Sequence, residues 1–206
     1  MSNIGLILEE KAADIGNFLV GRLLPFREKR NVGPFVFIDH MGPADLKDYQ
    51  NLDVAPHPHI GLSTLTYLLE GSIFHRDSLG SAVEITPGAV NWMTAGKGVQ
   101  HSEMFPLMSQ SEENPLELFQ VWLNLPKKNK MVEPHFKMLW RESIPNLKVD
   151  HGKVLVELIA GNWGEDKAMS PPPDSWAFPA ENEVLIVNIK MDPHAKITLP
   201  KASADV

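Results

Sequence analysis

Glycine and proline punctuate this chain from end to end. Its 17 prolines and 14 glycines are spread along the sequence rather than gathered in one tract. Steps such as Gly33-Pro34, Gly42-Pro43 and Pro87-Gly88 end regular elements, because proline has no amide donor and glycine tolerates left-handed backbone. Between these breaks lie short apolar or alternating runs at residues 35–38, 62–69, 72–78, 82–85, 90–94, 116–125 and 154–160. Most are too short for an ordinary helix, and turns recur roughly every 8–12 residues, the spacing of an all-β sandwich or barrel. Residues 183–190 and 195–199 read as two further strands, residues 44–53 as a polar loop, and residues 170–174 (SPPPD) as a loop or linker. The clearest strand is LELFQVWLNL at 116–125. Phe119, Val121, Leu123 and Leu125 share one face, and Leu118, Gln120, Trp122 and Asn124 share the other, which can line a pocket.

A chain of 206 residues with 43% hydrophobic composition can bury one good-sized core and part of a second. Its net charge of -7 gives no general attraction to nucleic acid or anionic lipid, so direct binding to either is not expected. No apolar run approaches the ~20 residues of a membrane span, and Glu9 and Glu10 interrupt the N-terminal apolar stretch where a signal peptide would continue. The expectation is a soluble, cytoplasmic protein. There is no cysteine, which removes disulfides, thiolate metal sites and cysteine nucleophiles. Any metal site must be built from His, Asp or Glu.

Eight histidines are present, and two pairs stand out by spacing: His57 and His59 as H-x-H, and His101 and Glu103 as H-x-E. On a strand, residues i and i+2 point to one face, so each pair offers two donors from one surface, and neighbouring strands would bring all four together. Three neutral imidazoles and a carboxylate suit iron, manganese, copper, nickel, cobalt or zinc, whereas calcium and magnesium favour more oxygen donors. Four protein ligands on an octahedral ion leave two positions for substrate or dioxygen. The H-x-H pair alone is weak, since Pro56 and Pro58 also suit a surface loop. The glycine-rich turn ahead of the second pair, AGKGVQHSE, strengthens it by giving a reason for both features.

Other features carry less. Gly96-x-Gly98 lacks the third glycine of a dinucleotide loop and reads as a tight hairpin turn. Ser102 has no G-x-S-x-G elbow and faces away from His101 and Glu103. His75 reads as a polar strand or rim residue, and His40, His135, His151 and His194 as surface or structural residues. Arg27, Lys29 and Arg30 form a solvated charge run, and Trp92 and Trp122 read as core aromatics.

The segments GPFVFIDHMGP, HPHIGLSTLTYLLEG, HRDSLG, WMTAGKGVQHSEMFP and LFQVWLNL, in that order between residues 33 and 125, resemble the pirin family of the cupin superfamily. The resemblance implies a double-stranded β-helix (jelly-roll) barrel followed by a degenerate second barrel without ligands. The metal-bearing barrel would span 1–130. The connection and the first strands of the second barrel, including MDPHAK, would occupy 131–206, with that barrel incomplete at residue 206 and an uncovered apolar face at 183–199 that predicts either self-association or poor solubility. It implies one divalent ion, Fe(II) first, on His57, His59, His101 and Glu103. The implied activity is that of a quercetin 2,3-dioxygenase, which opens a flavonol ring with dioxygen and releases carbon monoxide, with Glu103 as the catalytic group that accepts the substrate proton. The alternative implied by other members is a non-catalytic, metal- or redox-dependent regulator acting through protein partners, nuclear in a eukaryote. One departure is Ser63, which stands where many relatives carry a glutamate and cannot act as a carboxylate ligand or base.

Overall fold

The computed structural model describes residues 6–16, 18–48, 52–107, 113–175 and 184–200. Nearly all regular structure in it is β-strand, as the punctuation predicts, and its short helical turns are all 3-10. A seven-stranded sheet runs in the spatial order β1 (Lys11–Asp14), β2 (Leu19–Leu24), β3 (Phe35–Asp45), β10 (Pro115–Asn124), β5 (Leu62–Glu70), β8 (Val90–Thr94) and β11 (His135–Leu139). A four-stranded sheet has the order β4 (Val54–His59), β9 (Val99–Met104), β6 (Ile73–Asp77) and β7 (Ala82–Ile85). A three-stranded sheet joins β12 (Asn146–Val149), β13 (Val154–Ala160) and β16 (Ile186–Met191), and a small ribbon pairs β14 (Asn162–Trp163) with β15 (Asp166–Lys167). The pairings between these strands are antiparallel.

The first two sheets share a core. Leu68, Leu116 and Leu118 of the larger sheet pack with Ile73 and Ile85 of the smaller one, and with Phe18, Phe105 and Leu46 from the connections. Each fully buried aliphatic of this kind stabilises the fold by about 1.5–3 kcal/mol relative to exposure. A second cluster joins Leu65, Trp92 and Leu123 of the seven-stranded sheet to Ile144, Ile159 and Val184 of the later chain, with Ile186 packed against it. The C-terminal strands therefore lean on the back of the larger sheet, away from the four-stranded one.

Three expectations are corrected. The strand begun at Phe35 does not stop at Gly42-Pro43 but continues to Asp45. Gly42 adopts φ +93°, and a Cβ there would lie 2.1 Å from the Leu116 carbonyl oxygen, so this glycine makes a bulge inside the strand rather than its end. The Gly96–Gly98 turn is tight, with the Gly98 N–H donating to the Ala95 carbonyl at 2.9 Å, but it is no hairpin: it carries the chain from β8 in one sheet to β9 in the other. Residues 195–199 form no strand. After the turn at Asp192, the Ala195 N–H is taken by the Asp192 carbonyl and the Lys196 N–H by the Asp150 carboxylate, so these donors do not enter a sheet. Residue 183, at the start of the expected penultimate strand, lies outside the described residues, and β16 begins at Ile186.

Candidate metal centre

The H-x-H and H-x-E pairs lie on adjacent strands. In the β4–β9 ladder His57 is opposite His101 and His59 opposite Val99, with a bulge displacing the next pair so that Val54 meets Glu103. Because β4 is the edge of its sheet, Pro56 and Pro58 cost few ladder hydrogen bonds, which is how a strand carries two prolines beside its histidines. The period of two puts His57 and His59 on one face of the sheet, and the His57–His101 pairing puts His101 and Glu103 on that same face. Three imidazoles converge: His59 Nε2 lies 3.1 Å from His57 Nε2 and 3.0 Å from His101 Nε2.

These separations fit a shared cation. Ligand nitrogens bound at about 2.0–2.1 Å stand roughly 3.0 Å apart at right angles and roughly 3.4 Å apart at the tetrahedral angle. The observed spacing matches the right-angled case, with coordination positions to spare. Burial, reinforced by the neighbouring His57, pushes His59 down to about 4. Burial, then the surrounding imidazoles, pushes His101 down to about 3. Both rings are thus neutral near pH 7, the form that binds metal.

His57, His59 and His101 form one close group of donors, and Glu103 falls in a second group with His75 and His101. His101 belongs to both, and all three histidines of the first group and Glu103 line the same cavity. Burial pushes the Glu103 carboxyl up to about 7, and the Thr66 hydroxyl beside it offsets this only in part.

The cavity holds about 270 Å³ and is mostly apolar, walled by Val20, Met41, Val54, Phe105, Leu118 and Trp122 among others. Leu118, Gln120 and Trp122 are the second face of the strand at 116–125, which does line a pocket. Trp92 is fully buried as expected. Trp122 is not a core residue: it stacks on Phe37 at 4.1 Å and meets the His59 ring edge-on at 5.0 Å. Arg22 lies over the outer Phe37 ring at 4.7 Å and grips Asp39 through two 2.8 Å hydrogen bonds. Arg22 and Asp39, both cavity residues, escaped the sequence reading because only cross-strand register brings them together.

His75 also escaped it. It is fully buried, its Nε2 lies 3.0 Å from Asp77 Oδ2, its Nδ1 lies 3.4 Å from His101 Nδ1, and its ring stacks on Phe136 at 4.7 Å. The signal was present, since His75 and Asp77 repeat the i, i+2 spacing of the other two pairs. Ser63 is buried with its hydroxyl 3.1 Å from that of Thr94.

An all-β chain whose four-stranded sheet turns three imidazoles and a carboxylate into one apolar cavity has the architecture of a cupin with a candidate metal centre. The pirin family model matches residues 17–123, and the chain belongs to that family. A pirin-like protein of Caulobacter vibrioides is 40% identical over 200 residues, covering 96% of this chain and 66% of the relative. A crystal structure of quercetin 2,3-dioxygenase from Acinetobacter baumannii is 36% identical with a TM-score of 0.70, over 79% of this chain and 52% of that one. The bacterial pirin YhhW of Escherichia coli, solved in complex with nickel(II), shares the fold at 22% identity and a TM-score of 0.52, over 75% of this chain and 70% of that one. The chain spans between half and two thirds of the length of the first two of these relatives. Among the described residues, no helix is long and apolar enough to cross a membrane.

Proposed function

We propose that this chain is a mononuclear non-haem dioxygenase of the quercetin 2,3-dioxygenase type, with one divalent ion, Fe(II) first, held by His57, His59 and His101 and completed by Glu103. The observation that carries the reading is the set of three Nε2 atoms at ligand spacing on the floor of an apolar cavity that also holds a buried carboxylate. Bound there, such an ion supplies Lewis acidity toward a hydroxyl or ketone oxygen and a redox centre for dioxygen. The side chains do the rest. Trp122 and Phe37 present a flat aromatic wall, and Leu118, Met41 and Phe105 exclude water around a planar apolar ligand. The Arg22 guanidinium, held by Asp39, packs on the Phe37 ring and fixes it. Glu103 accepts the proton of the flavonol hydroxyl, and burial in the cavity makes its carboxylate a stronger base than an exposed one.

In this reading the metal-bearing unit is the segment 1–130, which contains every residue lining the cavity, and residues 131–206 are the connection and the start of a second unit: β11 adds an edge strand to the larger sheet, and Ile144, Ile159 and Val184 pack on that sheet's back. Iron-loaded protein incubated with quercetin tests the activity. The flavonol absorbance falls only when dioxygen is admitted, carbon monoxide is released, and the His59→Ala variant does neither. No loss of absorbance above a control with free iron would overturn the assignment.

A further inference from the structure

The two histidines opposite each other across β4 and β9 are oriented by different means. His57 Nδ1 lies 2.9 Å from the Ala55 carbonyl oxygen. A carbonyl only accepts, so the His57 proton sits on Nδ1 and Nε2 keeps its lone pair for the cavity. His101 Nδ1 instead faces the Nδ1 of another histidine, His75, at 3.4 Å. Two such nitrogens can share one proton in either direction, and nothing in that contact alone decides which ring carries it.

The decision is made one residue further out. His75 Nε2 lies 3.0 Å from Asp77 Oδ2, with both side chains fully buried. Asp77 is itself fixed, because its other oxygen, Oδ1, accepts the backbone N–H groups of Leu79 at 2.9 Å and Ser81 at 3.0 Å. A carboxylate accepts only, so His75 carries its proton on Nε2 and donates it to Asp77. The His75 Nδ1 is then an acceptor, a role matched by the Asn91 amide nitrogen 3.2 Å away. The His75 Nδ1 lone pair, shared with Asn91, repels a second lone pair at 3.4 Å and attracts an N–H, so the contact favours a His101 proton on Nδ1 and leaves the His101 Nε2 lone pair aimed at His59 Nε2 and the cavity.

We propose that Asp77 and His75 are positioning residues: a buried relay that sets the tautomer and ring orientation of His101 and so makes its Nε2 a metal donor. The relay rests on the metal reading above and adds to it two residues outside the ligand set. Outer partners of this kind hold a ligating imidazole in one tautomer and are worth about 10–100-fold in metal affinity. The Asp77→Asn change has a direction as well as a size. With Oδ1 retained by the two backbone N–H groups, the new amide presents N–H toward His75 Nε2, which must then accept. His75 then carries its proton on Nδ1, the Asn91 amide rotates to present its otherwise unpartnered oxygen, and His101, now facing an N–H, accepts there, so that the His101 proton moves to Nε2, where it blocks the ion. Exchange of an orienting aspartate for asparagine in a hydrogen-bonded histidine chain reverses tautomers in this way.

The test uses metal-free full chain with 15N-labelled histidine, whose long-range proton–nitrogen NMR spectra report which ring nitrogen is protonated, followed by Co(II) titration of the same samples. Wild-type protein is expected to show His75 protonated on Nε2 and His101 on Nδ1. Asp77→Asn is expected to invert both and to weaken Co(II) binding by roughly 10–100-fold. The wild-type tautomers need no variant, so the assignment stays testable even if the substituted chain does not fold. A His101 proton on Nε2 in wild type, or an Asp77→Asn chain with unchanged tautomers and affinity, overturns the relay alone. Assigned tautomers with no Co(II) uptake in wild type overturn the metal reading and with it the role given to the relay.

Discussion

Glu103 and Glu157 are both buried glutamates, on opposite sides of the seven-stranded sheet, and the fold treats them in opposite ways. Burial would raise the Glu157 pKa, but the Tyr67 hydroxyl at 2.9 Å, the Asn188 amide at 2.6 Å and the Lys190 ammonium at 3.3 Å more than reverse it, and its carboxyl lies below the usual value. Glu103 has the Thr66 hydroxyl beside it, and burial prevails, raising it to about 7. A carboxylate that serves the fold is saturated with donors. One raised by burial, in the same cavity as three imidazoles, is available to a cation or a proton, the pattern expected of a functional site.

The sharpest way to break this comparison is to remove one polar side chain from each side. His101→Ala should weaken metal uptake by more than the ~10–100-fold that an outer partner is worth, with little change in thermal stability of the metal-free chain, as followed by titration calorimetry and melting. Glu157→Ala should do the reverse. It strands the Tyr67 hydroxyl, the Asn188 amide and Lys190, costing about 1–3 kcal/mol of stability by denaturant unfolding while metal uptake holds. Equal losses of stability in the two variants would erase the distinction.

The pH dependence of the metal-free chain sharpens it further. His59 and His101 stay neutral in the folded state down to about 4 and about 3, below their ordinary 6.5, so the unfolded chain binds more protons and stability falls as pH drops below 6.5. Glu103 works against this trend. Its folded pKa of about 7 lies above the ordinary 4.5, so its contribution is present at low pH and is lost as pH rises from 4.5 through 7. Glu103→Gln should therefore steepen the acid-side fall in melting temperature relative to wild type. The smallest effect belongs to Lys190→Met: its side chain is 58% exposed, and loss of its ion pair with Glu157 should cost no more than about 1 kcal/mol.

Much of this arrangement was legible from local pattern. Strands β7, β8 and β13 fall at the expected residues, because alternation between clear turns is a local property. The first two strands were not foreseen: Lys11–Asp14 is largely exposed, and Leu19–Leu24 is broken by Gly21 and Arg22, so neither shows a clean apolar face. Residues 195–199 have the alternation of a strand but pair with no strand among the described residues, and pairing is a tertiary fact. The ligand pairs could be read because a spacing of two is meaningful on any strand. The same spacing in His75–Asp77 was passed over because its burial against Phe136 and His101 depends on the register of β6 with β9. Trp122 was read as core because a tryptophan on a strand ordinarily is. Its place in a cavity wall follows from the gap between the two sheets.

The most direct test of the central claim is anomalous diffraction from crystals of protein purified without added metal and then exposed to Fe(II) without oxygen. The account predicts a single strong peak within about 2.0–2.2 Å of the Nε2 atoms of His57, His59 and His101, with the Glu103 carboxylate turned toward it. Iron absent from that point, or bound elsewhere on the chain while the three imidazoles remain bonded to one another, would contradict it.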